Sequence, residues 1–160
     1  MHVCTYICLV KIEDALKMTK FSSQKHRAGL NILYTAWWLK TMVSKELKSL
    51  GLTHEQYNVL RILKGKHPEA MCVKDIGNRM IEPSSNVPRI VDRLVAKKYV
   101  VRSTSAIDKR ETVITLTNVG LDALQAATNK VDDLFTSSLH LPEEDAIKLN
   151  TLLENMRDGE

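Results

Sequence analysis

Residues 71–117 read MCVKDIGNRM IEPSSNVPRI VDRLVAKKYV VRSTSAIDKR ETVITLT. Apolar side chains recur in this stretch first at helical spacing and then in alternation, and that change of period decides the fold. Met71, Cys72 and Val73 make a short extended piece. Asp75 to Met80 is a helix of barely two turns that buries Ile76 and Met80. Glu82 to Ser85, containing Pro83, is a turn, and a second helix runs from about Ser85 to Lys98 with Ile90, Val91, Leu94 and Val95 inward. Two short helices joined by a tight turn form a helix-turn-helix unit. Pro88 keeps the second helix from starting much before Ser85, because proline is tolerated only in a first turn. From Tyr99 the period is two. Tyr99 to Arg102 and the β-branched Thr112 to Leu116 are the arms of a two-stranded hairpin, and the charged Ser103 to Glu111 is its exposed loop.

Upstream, Leu30, Leu33, Tyr34, Trp37, Trp38, Val43 and Leu47 put an apolar stripe on a long helix from Ala28 to Leu50, closed by Gly51. Thr53 with Gln56 is a capping-box signature for a further helix burying Tyr57, Leu60 and Leu63, which Gly65 and Pro68 end. Downstream, Asn118 to Leu139 is helical, and Pro142 suits the first turn of a last helix carrying Ile147, Leu149, Leu152, Leu153 and Met156. The expected fold is mainly α with a small β-hairpin wing. A winged helix-turn-helix lobe at 51–117 is flanked by dimerisation helices at 26–50 and 118–160. Residues 1–25 form an N-terminal extension, partly disordered or mis-started. A 160-residue monomer has little to cover both flanking stripes, so a homodimer is expected. Removal of the residues after Leu139 is expected to abolish dimerisation and folding.

Net charge is +4, unevenly spread: residues 61–111 carry twelve basic and six acidic side chains, residues 121–160 three and nine. A polyanion should therefore dock upstream of residue 111. Three cysteines (Cys4, Cys8 and Cys72) make no disulfide framework and suit a reducing, cytoplasmic setting. Cys72 reads as a small buried hydrophobe. No run of apolar residues is long enough to span a membrane. The histidines are scattered and no phosphate loop or nucleophile elbow occurs, so an enzyme is not expected. Neither a cofactor nor a metal is expected, since His2, Cys4 and Cys8 do not complete a tetrahedral site.

An α-helix fits the DNA major groove with its N-terminal residues at the base edges. In the Ser85–Lys98 helix those are Ser84, Ser85, Asn86 and Arg89, with Arg93 one turn on. Asparagine pairs bidentately with adenine, and arginine with guanine. The wing carries Arg102, Asp108, Lys109 and Arg110. An arginine at a hairpin tip can enter a minor groove, and a carboxylate two residues before it can hold the guanidinium in one pose. A winged-helix module for protein assembly would want an acidic or apolar helix. This one carries Arg89, Arg93, Lys97 and Lys98 against Asp92 alone. A thiol- or metal-responsive regulator is a further alternative.

Asp108, Lys109 and Arg110, followed by Val113, Leu116, Thr117 and Gly120, resemble the wing signature of the MarR family. Leu50-Gly51-Leu52-Thr53 with Gln56 and Tyr57 resembles that family's junction between its first two helices, and Val91 to Leu94 the end of its recognition helix. The resemblance covers residues 26–157. It implies an obligate dimer on a pseudo-palindromic double-stranded DNA operator, and a pocket for a small aromatic or phenolic ligand, with repression the default. Three departures stand out. Pro88 replaces a threonine or serine. Lys98 and Tyr99 replace a glycine, which leaves the turn after the recognition helix without a residue free to take positive φ. No cysteine lies near Gly29, where the redox-sensing branch has one.

Overall fold

The computed structural model describes residues 10–82, 86–106 and 108–158. In chain order they form α1 (Ile12–Leu16), α2 (Gln24–Ser49), α3 (His54–Lys64), β1 (Met71–Cys72), α4 (Val73–Asn78), α5 (Val87–Ala96), β2 (Val100–Thr104), β3 (Thr112–Leu116), α6 (Asn118–Ser138) and α7 (Glu143–Asn155). They fall into two compact units, Met1–Lys45 and Glu46–Glu160, the division lying within α2.

In the first unit, part of the expected N-terminal extension is helical. Ile12 of α1 is buried, and Glu13 Oε1 pairs with Arg27 Nη2 at 2.9 Å. The Arg27 guanidinium also lies 6.0 Å from the centre of the Phe21 ring. The long helix begins at Gln24 rather than Ala28, and the Ser23 hydroxyl accepts the His26 amide at its start.

The second unit opens on the end of α2. Gly51 takes φ +68, the Leu52 amide donates to the Leu47 carbonyl and the Gly51 amide to that of Lys48, both at 3.0 Å. These two bonds satisfy carbonyls that a helix end leaves unpaired, and Leu47 and Leu52 on either side of the turn are both buried. Thr53 and Gln56 then form the capping box in both directions. The core gathers Leu60 and Leu63 of α3, Ile76 of α4, Val91 and Leu94 of α5, and Val100 and Ile114 of the sheet, each at most 1% exposed.

The sheet has three strands in the order β1-β3-β2, not two. Met71 pairs with Ile114 and Cys72 with Val113, while β2 and β3 pair from Val100–Leu116 to Thr104–Thr112. The short extended piece thus finds its backbone partners on the far side of the wing. Helix α4 starts two residues before the expected Asp75, because Cys72 (ψ 156) is its N-cap and the Cys72 Sγ accepts the Asp75 amide at 3.3 Å. Cys72 is half-buried, and caps a helix rather than filling the core.

Lys98 corrects the expectation that no residue here could take positive φ: its own φ is +62. The Tyr99 amide reaches the Leu94 carbonyl and the Lys98 amide that of Val95. The same two-bond helix end seen at Gly51 is therefore made with a lysine in the left-handed region. Helix α7 contributes no buried side chain.

Candidate nucleic-acid interface

Helix α5 is positioned by one face. Val87, Ile90, Val91 and Leu94 are buried, which turns Arg89, Asp92 and Arg93 outward, all exposed. Its first turn accommodates Pro88 without losing a hydrogen bond, since amides there have no partner within the helix. Asn86 stands at the N-cap position, exposed, with φ −96 and ψ 10. Ser84 and Ser85 lie outside the described residues.

The wing tip is organised by Asp108. Its Oδ1 accepts the Arg110 amide at 2.9 Å and lies 3.4 Å from Arg110 Nε. The Glu111 amide donates to the Asp108 carbonyl, and the Ser105 amide to the Glu111 carbonyl, which closes the tip. Arg110 is held at its base yet 93% exposed along its side chain. Lys109 beside it is exposed too. Arg102 is placed differently. Its Nη2 donates to Asp92 Oδ1 of α5 at 2.6 Å, so one guanidinium joins wing and helix. A groove of about 360 Å³ is bordered by Lys74, Pro88, Arg102 and Arg110 among others. The start of α5, through Pro88, and the wing thus share one concave surface, on which Lys74, Arg102 and Arg110 outnumber the one acid, Glu111.

Three side chains that the sequence names have partners it did not assign. Lys97, counted there as helix charge, donates through Nζ to the Gly51 carbonyl and, at 3.1 Å, to Gln56 Oε1. Thr117 caps α6 by accepting the Gly120 amide at 3.0 Å, and its hydroxyl lies 2.8 Å from the Lys98 carbonyl and 3.0 Å from that of Tyr99. Asp92 was read only as the one acid of its helix. The signal for Thr117 was its spacing to Gly120, a threonine three residues ahead of a helical amide. Nothing in the local sequence marks the other two.

Among the described residues there is no cluster of three metal-ligating side chains. The set His2, Cys4 and Cys8 falls outside them. No described helix is long and apolar enough to cross a membrane.

The model of the MarR family matches residues 52–112. The helix-turn-helix-type transcriptional regulator SarZ of Staphylococcus epidermidis is 28% identical over 109 residues, which cover 68% of this chain and 72% of SarZ. The solved structure of Bordetella bronchiseptica BpsR has a TM-score of 0.74 at 21% identity, over 89% of this chain and 99% of that one. The S. aureus MepR–DNA complex has a TM-score of 0.71 at 22% identity, covering 86% and 97%. The matched segment spans the helix-turn-helix and the start of β3, and the likeness in fold extends over the flanking helices. With the Asp108–Arg110 tip and the Thr117–Gly120 cap in place, this chain is similar over residues 52–112 to the MarR family, and its fold to that of solved winged helix-turn-helix regulators.

Proposed function

We propose that the protein is a cytoplasmic, sequence-specific regulator that binds a pseudo-palindromic double-stranded DNA operator as a homodimer. It represses until a small aromatic or phenolic ligand releases it, and its action contains no catalytic step. The observation that carries the reading is the shared cationic groove, where the start of α5 and the Asp108-held Arg110 border one surface. Residues 51–117 are the DNA-binding lobe, with 26–50 and 118–160 as the pairing helices. Asn86, Arg89 and Arg93, with Ser84 and Ser85, address the major groove, while Lys109 and Arg110 address the backbone and minor groove. Arg102 and Asp108 complete the wing. The apolar residues left exposed on α7 and at its C-cap (Ile147, Leu152 and Met156) support pairing with a second copy. MepR is seen in complex with DNA, and the DNA binding of BpsR is regulated by 6-hydroxynicotinic acid. For a ligand here, a crevice of about 550 Å³ between α3 and α6 offers the cations Arg61 and Lys64 beside Leu121 and Leu124.

The test is selection of a bound duplex from a random-sequence library, followed by titrations on that duplex and on an unrelated one at several salt concentrations. Arg110→Ala should weaken both duplexes similarly and lower the salt slope by about two units for the dimer, at ~0.9 for each phosphate no longer neutralised. Arg89→Ala or Asn86→Ala should cost ~1–3 kcal/mol per half-site on the selected duplex and almost nothing on the other. Failure to enrich any duplex overturns the reading.

A further inference from the structure

Asp92 is a carboxylate on the face of α5 that the DNA-binding reading turns toward phosphates. It is 59% exposed there, between Arg89 and Arg93. An acid in that position opposes a polyanion, so its presence calls for a compensating role. Among the described residues its partner is Arg102 of β2, at 2.6 Å. The two elements are also held together at the turn through Lys98 and Tyr99, at the buried Val100, and at the buried Ile114 that pairs with Arg102 across the ladder. Beyond Val100 all of β2 is exposed, and past the Arg102–Ile114 pair β3 too turns half-buried and then exposed, so the hairpin leaves the core at that pair. The Asp92–Arg102 bond lies at that point of departure and ties the outgoing hairpin to α5.

Stability of the lobe is a poor explanation for such a pair. An ion pair between side chains this exposed contributes little to folding. Orientation is a better one, because apparent affinity falls in proportion to the fraction of molecules with both elements in register. We propose that Asp92 and Arg102 are positioning residues that set the wing against the recognition helix, and that the Arg102 guanidinium is committed to Asp92 rather than to a phosphate. The proposal rests on the DNA-binding reading above and adds to it a division of labour among the arginines: Arg110 contacts DNA, and Arg102 aims Arg110.

The two roles predict opposite signs for one substitution. If Asp92 were only an unfavourable charge, Asp92→Asn would tighten binding to every duplex. As a positioning residue, its loss should weaken the selected duplex by about five- to twenty-fold over two lobes, with little change on the unrelated duplex. Arg102→Gln should weaken the selected duplex to a similar extent while leaving the salt slope unchanged. The double variant Asp92→Asn/Arg102→Gln should be no weaker than either single one, and Arg102→Lys should restore part of the loss. Melting temperatures of the full-length variants should stay near that of the parent, which separates orientation from unfolding. Tighter or unchanged binding by Asp92→Asn overturns the proposal. So does a salt slope lowered by about two units in Arg102→Gln, the mark of a phosphate left without its cation in each lobe, and so does additive weakening in the double variant. Arg89→Ala and Arg110→Ala, measured in parallel, separate the two levels. Should both bind like the parent, the DNA-binding reading falls and takes the proposal with it. Should they weaken binding while Asp92→Asn does not, only the positioning role falls.

Discussion

Gly120 lies against the main-chain carbonyl of Tyr99, so closely that a Cβ at Gly120 would sit 2.0 Å from the Tyr99 oxygen and 2.9 Å from its carbon. The obstacle is backbone, pinned by the Thr117 amide and hydroxyl at the base of the wing, and cannot step aside as a flexible side chain would. Gly120→Ala should therefore lower stability by about 1–3 kcal/mol, even though alanine gains up to ~1 kcal/mol in helix propensity. Gly29→Ala is the matched control. It lies inside α2 with nothing within 4 Å of the added carbon, and should raise stability by about 0.5–1 kcal/mol. Denaturant midpoints with an unchanged slope would check both, and a neutral Gly120→Ala would contradict the steric account.

Lys98 predicts a gain from a substitution that removes a charge and a side chain. A non-glycine residue in the left-handed region costs roughly 1–2 kcal/mol. Lys98→Gly relieves that strain and should stabilise the lobe by about 0.5–1 kcal/mol, after the greater unfolded-chain freedom of glycine is deducted. Lys98→Val should do the reverse, since a β-branched residue fits this region worst. Thermal melting of the pair gives the answer, and equal melting points would contradict it.

How much was legible in the sequence follows the distance over which each feature is decided. The capping box of Thr53 and Gln56, the helix end at Gly51 and the Asp108–Arg110 tip are bonds between residues two to five apart, and residue type with spacing announced them. The start of α2 was missed because the apolar stripe begins at Leu30, whereas the cap is the hydroxyl of Ser23. The third strand could not be read. Met71 and Cys72 are too short a run to show a period, and their pairing with Ile114 and Val113 is a long-range event. The Lys98 turn was misjudged because glycine preference is a matter of cost, and here the surrounding helix end and strand meet that cost. For the candidate site, the sequence picked the helix and the wing by composition. It was silent on Arg102 with Asp92 and Lys97 with Gly51, since a charge names no partner across two elements.

Lys97 makes a further contrast with its neighbours on α5. Its ammonium serves the Gly51 carbonyl and the buried Gln56, whose Oε1 also accepts the Thr53 amide. Lys97→Met keeps the aliphatic stem and removes the donor. It should cost about 1 kcal/mol of stability, toward the low end for a charged hydrogen bond because the lysine is half-exposed. The salt slope of DNA binding should not move, whereas a lysine on phosphate would lower it. A fall in slope for Lys97→Met would reassign this residue to the interface.

Helix α7 lets pairing be separated from folding. None of its described residues is buried, and Ile147, Leu152 and Met156 are about 60% exposed. The full chain should sediment as a dimer near 36 kDa, twice 18.1 kDa, and a chain ending at Leu139 should sediment as a folded monomer with the lobe's circular dichroism retained. A truncated chain that still sediments as a dimer would place the pairing surface elsewhere.

The strand order β1-β3-β2 leaves the sheet with two open margins, and each is blunted in its own way. At one margin β1 offers only Met71 and Cys72, too few backbone groups to template a new strand. At the other, β2 bears Arg102 at mid-strand, its side chain held against Asp92 of α5, which encumbers that margin for an added strand. A protein gathered at high local density along one polyelectrolyte is exposed to edge-to-edge polymerisation. The Arg102–Asp92 pair at mid-strand and the brevity of β1 therefore both work against a further strand adding to the sheet.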